Sequence, residues 1–369
     1  MSPLPRLSLL SCRRLKLSEP QKILVVRQDR LGDALSAVPL LKALKKARPG
    51  AHITFMVTKP LAELFFGQPF LDEVITWSND LWPLIKTLRR GRYDALLMLH
   101  PSKLLAWAAF FAGIKQKAGL GFRPYYVLTG FKHSHRGAPP LAELPAFRYV
   151  DTTQCPAVSK PGGAYGNDGR VIHETEYNFS VARSIFELPD VIEPPKIFLS
   201  DQEMSEARNV LMSMGVQTPI AILPANRGSS ANWAPERYRE LVQKLLEAKQ
   251  EVLILAGPGE ESILSKVKGD TNVPMAGPEL TLRRLAAILA NCRQVAGSST
   301  GTLHLAAAAG ARTVGLFCPA PASRPERWRP LGEGHVQIVP EEEYCKNCQA
   351  SSKCDLGGIA MEKVLGHIL

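Results

Sequence analysis

Short apolar runs alternate with helical stretches along most of this chain, and the alternation begins twice. Residues 22–27 (KILVVR) are almost continuously apolar, as a strand buried on both faces must be. Gly32 and Asp33 follow, then Leu35, Val38, Leu41 and Leu44 at helical spacing until Pro49-Gly50 stops the helix. Strands are predicted at 52–57, 73–77 and 94–99, with helices near 60–66 and 80–90. The rhythm resumes with strands near 219–224, 251–256, 293–297 and 312–317, again separated by helices. Such alternation predicts parallel sheets with helices on both faces. The expected fold is therefore α/β, with two successive doubly wound units and a cleft between them. The 369 residues suffice for two such domains. We divide the chain into an N-terminal extension (1–21), a first domain (22–190), a second domain (196–350) and a tail (351–369). The first domain holds a Pro- and Gly-rich insertion at 137–170, which shows no period and reads as surface loop. Leu188–Pro195 reads as the linker, and a last helix near 357–368 is expected to pack back on the first domain.

The net charge of +11 is unevenly placed. Residues 1–200 carry 27 Lys+Arg against 16 Asp+Glu, whereas residues 201–369 carry 18 of each. The first half thus holds the whole excess, which suits an anionic partner or serves as scattered solubility charge. Basic and aromatic residues do not interleave as in a nucleic-acid groove, so no nucleic-acid partner is expected. No apolar run has the roughly 18–20 residues of a membrane span. Leu7, Leu9 and Leu10 precede rather than follow the charges Arg13, Arg14 and Lys16, unlike a secretory signal. The seven cysteines are mostly far apart, and a reducing cytoplasm is their simplest home. Cys345, Cys348 and Cys354 form the one cluster. With His335 they have the makings of a zinc site, and free thiols in a loop are the alternative.

Four segments carry candidate chemistry. Arg27-Gln28-Asp29-Arg30-Leu31-Gly32-Asp33 joins the first strand to its helix, where ligands bind in open α/β sheets. Gly32 there would let a ligand approach the backbone, and Asp33 would either face that ligand or cap the helix. Gly297-Ser298-Ser299-Thr300-Gly301-Thr302-Leu303-His304 again lies between a strand and a helix. Its hydroxyls and free N–H groups suit a diphosphate, or simply form a cap. His304, about one turn into the helix, would reach the same ligand or be structural. Gly257-Pro258-Gly259-Glu260 offers a carboxylate for ribose hydroxyls or a capped turn. In the loop 224–233, Arg227 would pair with a phosphate, while Trp233 reads as core.

Together these segments resemble glycosyltransferase family 9, the lipopolysaccharide heptosyltransferases. The resemblance runs from about Lys22 to the C-terminus, apart from the insertion. It rests on Gly-Asp opening a helix that carries Pro39 and Leu40-Leu41-Lys42-Ala43-Leu44, and on Ser-Thr-Gly-x-x-His-Leu-Ala-Ala-Ala. The segment 233–238 (WAPERY) and the Gly-Pro-Gly-Glu turn also match, and His100-Pro101-Ser102 is a softer likeness. The resemblance implies a GT-B fold, with the acceptor on the first domain and the nucleotide sugar on the second. It places the catalytic base at Asp33. Donor binding falls to Arg227, Glu260, Ser299, Thr300, Gly301, Thr302 and His304. The acceptor candidates are Arg27, Arg30, Gly32, His100, Lys103 and Arg123. The implied reaction is inverting, needs no metal or other cofactor, and moves heptose from ADP-heptose to an anionic, lipid-anchored core glycan. It would take place in the cytoplasm, on the inner face of the inner membrane. Two positions depart from the family: Ala231 stands where a Lys is usual, and Ser299 where an Asp is usual. A binding protein without catalysis, or a nucleotide-sugar epimerase on the same fold, are the alternatives.

Overall fold

The computed structural model describes residues 21–120, 123–134, 171–225, 228, 230–257, 260–277, 279–320, 323–341, 344–345 and 354–369. The N-terminal extension up to residue 20, the insertion at 137–170, Arg227 and Cys348 lie outside them.

The first half forms a six-stranded sheet from β1 (Lys22–Arg27), β2 (His52–Val57), β3 (Glu73–Thr76), β4 (Ala95–Met98), β5 (Gln116–Leu120) and β6 (Lys132–Ser134). The second half forms another from β7 (Ile220–Leu223), β8 (Val252–Leu255), β9 (Met275–Ala276), β10 (Gln294–Ser298), β11 (Arg312–Leu316) and β12 (His335–Ile338). All pairings are parallel. The orders β3-β2-β1-β4-β5-β6 and β9-β8-β7-β10-β11-β12 are the same topology used twice. In each sheet the chain reverses direction across it between its first and fourth strands, and that switch point opens a crevice beyond the strand ends. The loops after β1 and β4, and after β7 and β10, are thereby committed to the site.

Side-chain alternation explains how the layers stack. On β1, Ile23 and Val25 face a core that continues into the second half, reaching Leu289, Leu303 and Ala306. Leu24 and Val26 face a separate outer layer built on Leu84, Leu88, Leu105 and Tyr126. The first helical segment breaks into Leu31–Ser36 and Val38–Ala47. Pro39 lacks an N–H and is tolerated only near a helix start, so it forces a new start after Ala37.

The two halves also meet along an edge. The Leu282 N–H donates to Glu63 Oε1 at 2.7 Å, and Arg283 donates to the Phe66 carbonyl at 2.7 Å while pairing with Glu203. The last helix, Met361–Ile368, differs from expectation. It buries Met361, Val364 and Ile368 in the second sheet's own core, because Gln294 and Arg293 at the foot of β10 donate to the His367 and Ile368 carbonyls. No helix among the described residues is long and apolar enough to cross a membrane.

Candidate functional site

Two cavities lie at the switch points. One, about 410 Å³, is walled mainly by the first half, including Asp29, His100, Pro101, Arg123, Glu174 and Tyr177. The other, about 340 Å³, is walled by Ser230, Ser299, Thr300, Gly301, His304 and Ser323, with Gly32 across from them. Both cavities include Arg30, Asp33 and Trp328 in their walls. Asp33 therefore stands where the two spaces meet.

Asp33 is the third residue of the Leu31–Ser36 helix, whose N-cap is Arg30, so the capping alternative fails for it. Its carboxylate instead accepts from Arg27 Nη2 at 2.5 Å. Arg27 ends β1 and is 2% exposed. Its Nε donates to Asp29 Oδ1 at 2.9 Å, and its Nη1 to the Leu99 carbonyl at 3.1 Å and Asn178 Oδ1 at 3.0 Å. Its second Nη2 hydrogen reaches Glu174 Oε1 at 2.8 Å. Every guanidinium donor is committed within the protein. Arg27, expected to bind the acceptor, does line the first cavity, but its donors are all spent on positioning the groups around it.

The carboxylates held by this one cation have different acidities. Burial pushes Asp33 up to about 6; Arg27 opposes the shift, and Asp29 and Glu174 add to it. Burial acts on Asp29 in the same direction, but the His100 hydrogen bond and the Arg27 charge outweigh it and hold Asp29 below the usual carboxylate range. His100 Nδ1 lies 3.1 Å from Asp29 Oδ2, and that bond raises the imidazole above its ordinary value. One carboxylate is thus firmly ionised and its neighbour is poised near neutrality, the separation that general acid–base sites require.

Glu174 extends this network across the halves. It opens the Glu174–Arg183 helix, is 4% exposed, and its Oε2 accepts from Arg327 Nη2 at 3.2 Å. Arg327 sits in the short turn Pro325–Trp328 of the second half and stacks over Trp328, 4.9 Å from the ring centroid.

Among the described residues, the second half contributes no charged side chain to the other wall. Thr300 is the N-cap of the Gly301–Ala309 helix and accepts from the Leu303 N–H at 3.3 Å, so the capping reading holds for its hydroxyl. A ligand there would meet the free N–H groups of the helix start and the small residues beside them. Burial pushes His304 down to about 4, with His173 and His335 acting in the same direction, so it is a neutral ring. Gly32, expected to admit a ligand, chiefly admits the opposite helix: a Cβ on it would lie 3.2 Å from His304 Cδ2 and 3.6 Å from Gly301 Cα. A Cβ on Gly301 would lie 2.9 Å from Leu31 Cβ. The two halves touch glycine against glycine beside the cavity.

The remaining candidates scatter. Lys103 is exposed at the start of its helix and lines neither cavity, as does Thr302. Glu260 is buried with Oε2 accepting from the Gly257 N–H at 2.7 Å, and it lines neither cavity, so its carboxylate closes its own turn. Cys345 and Cys354 are buried, and among the described residues no group of three His, Cys, Asp or Glu is placed to hold a metal. His335 Nδ1 lies 3.0 Å from Thr313 Oγ1. Ala231 is buried in the core that holds Trp233, whose Nε1 donates to the Leu356 carbonyl at 2.9 Å.

Sequence reasoning missed Glu174, Tyr177, Arg327 and Trp328. Glu174 had one usable signal: His173-Glu174-Thr175 resumes a helix directly after the insertion with a polar start. His173 proves to cap that helix, its Nδ1 accepting from the Thr175 N–H at 3.2 Å. Pro325–Trp328 gave no comparable sign.

The family model of glycosyltransferase family 9 (heptosyltransferase) matches residues 168–357. The chain is 25% identical over 365 residues to a Haemophilus influenzae protein named "Putative glycosyltransferase", covering 94% of this chain and 96% of that one. It is 24% identical over 316 residues to lipopolysaccharide heptosyltransferase 2 of Escherichia coli, covering 81% and 83%. Among solved structures, a glycosyltransferase family 9 protein from Veillonella parvula aligns with a TM-score of 0.74 at 17% identity, covering 94% of this chain and 95% of that one. The E. coli ADP-heptose lipopolysaccharide heptosyltransferase II aligns at 0.71 and 20% identity, covering 94% and 97%. Both structural likenesses speak to the fold, which is GT-B. With its family's signature spanning more than half of its length, and its two sheets arranged as in those structures, the chain belongs to glycosyltransferase family 9, the heptosyltransferase family.

Proposed function

We propose that the chain is an inverting glycosyltransferase that moves a heptose from ADP-heptose onto a hydroxyl of an anionic, lipid-anchored core glycan. The observation that carries this reading is the sharing of Asp33 by the two cavities. The acceptor occupies the space beside Arg123 and His100, within the first domain (22–190), and the nucleotide sugar the space beside Ser299–Gly301, within the second (196–350). Asp33 takes the proton from the acceptor hydroxyl as that oxygen attacks the anomeric carbon. The bond from that carbon to the nucleoside diphosphate breaks in the same displacement. The departing charge meets the N–H groups at the start of the Gly301–Ala309 helix and the side chain of Arg30. This scheme uses a base and backbone donors and no divalent metal. Arg27 and Glu174 hold Asp33 in place without touching substrate.

A similar E. coli heptosyltransferase has been solved with ADP and with ADP-2-deoxy-2-fluoro heptose, which supports the choice of donor. The basic first half supports an anionic acceptor and a loose contact with the inner face of the inner membrane.

The test is an incubation of the protein with ADP-heptose, with and without a phosphorylated core acceptor, followed by mass spectrometry of both substrates. A heptose-extended acceptor and free ADP are expected only when both are present. Donor conversion without acceptor would instead mean an epimerase, and donor binding without turnover a binding protein.

A further inference from the structure

The outer layer of the first sheet has no protein partner among the described residues, and its composition is unusual. Between residues 81 and 134 the chain carries nine Lys and Arg and a single acid, Asp94. That one carboxylate is spent inside the protein, its Oδ2 accepting from the Gln21 and Lys22 N–H groups at 2.9 Å. Of the nine cations, only Lys117 is buried, with its ammonium on the Ile114 carbonyl. Arg123 is half-buried in the wall of the first cavity, and the other seven are exposed, among them Lys86, Arg90, Arg92 and Lys115. Most of the +11 of the whole chain thus sits on one layer.

Large apolar side chains stand among these cations. Trp82 is 77% exposed and Val127 73%, and Leu128, Phe110 and Phe111 are also exposed. They belong to three helices, Leu81–Gly91, Lys103–Phe111 and Pro124–Thr129, that share one core against the outer face of β1 and β4. The first two helices are fastened side by side, with Arg89 Nη2 donating to the Phe111 carbonyl at 3.0 Å. On the last helix Val127 and Leu128 are exposed while Tyr126 and Thr129 are buried, so the apolar residues point away from the core by construction. The layer also abuts the first cavity. His100 and Pro101 lead into the Lys103–Phe111 helix, and Arg123 is the N-cap of Pro124–Thr129; all three line that cavity.

A solvated basic face needs no exposed tryptophan, and the one acid at the margin of the layer, Asp80, is the N-cap of its first helix. Cations around protruding aromatic and aliphatic side chains match the negative potential and shallow apolar depth of an anionic bilayer. We infer that the helical layer 81–134 is the surface by which this protein docks on an anionic lipid bilayer, with the first cavity at its edge. This deepens the membrane contact of the proposed function and rests on that reading only for the acceptor; it does not depend on Asp33.

The experiment is co-sedimentation of the full chain with phosphatidylcholine vesicles containing or lacking phosphatidylglycerol. Binding is expected only with phosphatidylglycerol. The triple variant K86E/R90E/K115E should lower the partition coefficient roughly tenfold or more, since each cation near such a surface contributes about a factor of five. V127D/L128D should lower it as well, while R208E/K266E/K268E, charge-matched on the second half, should bind like wild type. Transfer to a water-soluble acceptor should be unchanged in every variant. Equal binding by the 81–134 variants and wild type would overturn the inference. So would light scattering that shows wild type dimeric and V127D/L128D monomeric, because a second copy would then cover the face. Vesicle binding that follows these expectations in a protein with no transfer activity would leave this inference standing and remove the proposed reaction alone.

Discussion

The two walls of the site solve the problem of handling charge in opposite ways. The first-half wall is crowded with ionised groups that neutralise one another: three carboxylates on Arg27, and a histidine on one of them. The second-half wall, as far as it is described, offers hydroxyls, glycines, a neutral His304 and the open end of a helix. The first arrangement can tune a proton acceptor, because burial, neighbouring charges and hydrogen bonds move its two aspartates in opposite directions. The second suits an anion that arrives and departs, because the dipoles of a helix start attract it without a carboxylate nearby to repel it other than Asp33.

The sharpest way to break this comparison is Asp33→Asn. It keeps the shape and removes the base, so transfer should fall by roughly 10²–10⁴-fold while calorimetric donor binding is preserved. An unchanged rate would mean that the charged wall does no chemistry. Next is Arg27→Met, which strands Asp29, Asp33 and Glu174 without their common cation. Loss of one partner of a buried ion pair costs about 3–5 kcal/mol, to be read by urea unfolding at pH 8. Lowering the pH should shrink that loss as the carboxylates take up protons. Gly301→Ala tests the contact between the walls. A Cβ 2.9 Å from Leu31 Cβ overpacks the joint, which should cost about 1–3 kcal/mol in thermal unfolding. Thr300→Ala removes a cap and should cost about 1 kcal/mol, with Thr300→Ser restoring it.

The smallest effect is a shift in pH dependence. A base must be deprotonated to act, so kcat should fall as pH drops through about 6, the value to which burial lifts Asp33. Glu174 pushes Asp33 upward, so Glu174→Gln should move that limb to lower pH. Arg327→Gln leaves the Glu174 charge less neutralised and should move it to higher pH. A purely structural role for either residue would change the rate without moving the limb.

How much of this was legible depended on where each residue sits. The central strands β1, β2, β4, β7, β8, β10 and β11 announce themselves as apolar runs because helices cover them on both sides. Strands β5 (QKAGL), β6 (KHS), β9 (MA) and β12 (HVQI) did not. Strands β6, β9 and β12 are edge strands, where pairing on one side suffices and composition is free to be polar, whereas β5 pairs on both sides and was hidden by Lys117 within it. Within the site, Asp33, Ser299 and Gly301 were visible because a strand-to-helix turn imposes local residue types. Glu174 and Trp328 were not, since Glu174 opens a helix that follows the insertion rather than a strand, and Trp328 ends a four-residue turn. Gly32 was noticed for only one of its neighbours: it lines the second cavity, and the fold shows that the opposite helix packs on it as well. The last helix was misplaced because an apolar stripe does not name the core it joins.

A guanidinium with every hydrogen already spoken for does not respond to newcomers. An anionic group entering the first cavity would find Arg30 and Arg123 in the wall, while every hydrogen of Arg27 stays on its own partners. On the proposed reading, substrate affinity and base strength would thereby be uncoupled: decorations on an acceptor would alter how tightly it is held while Asp33 keeps its tuning.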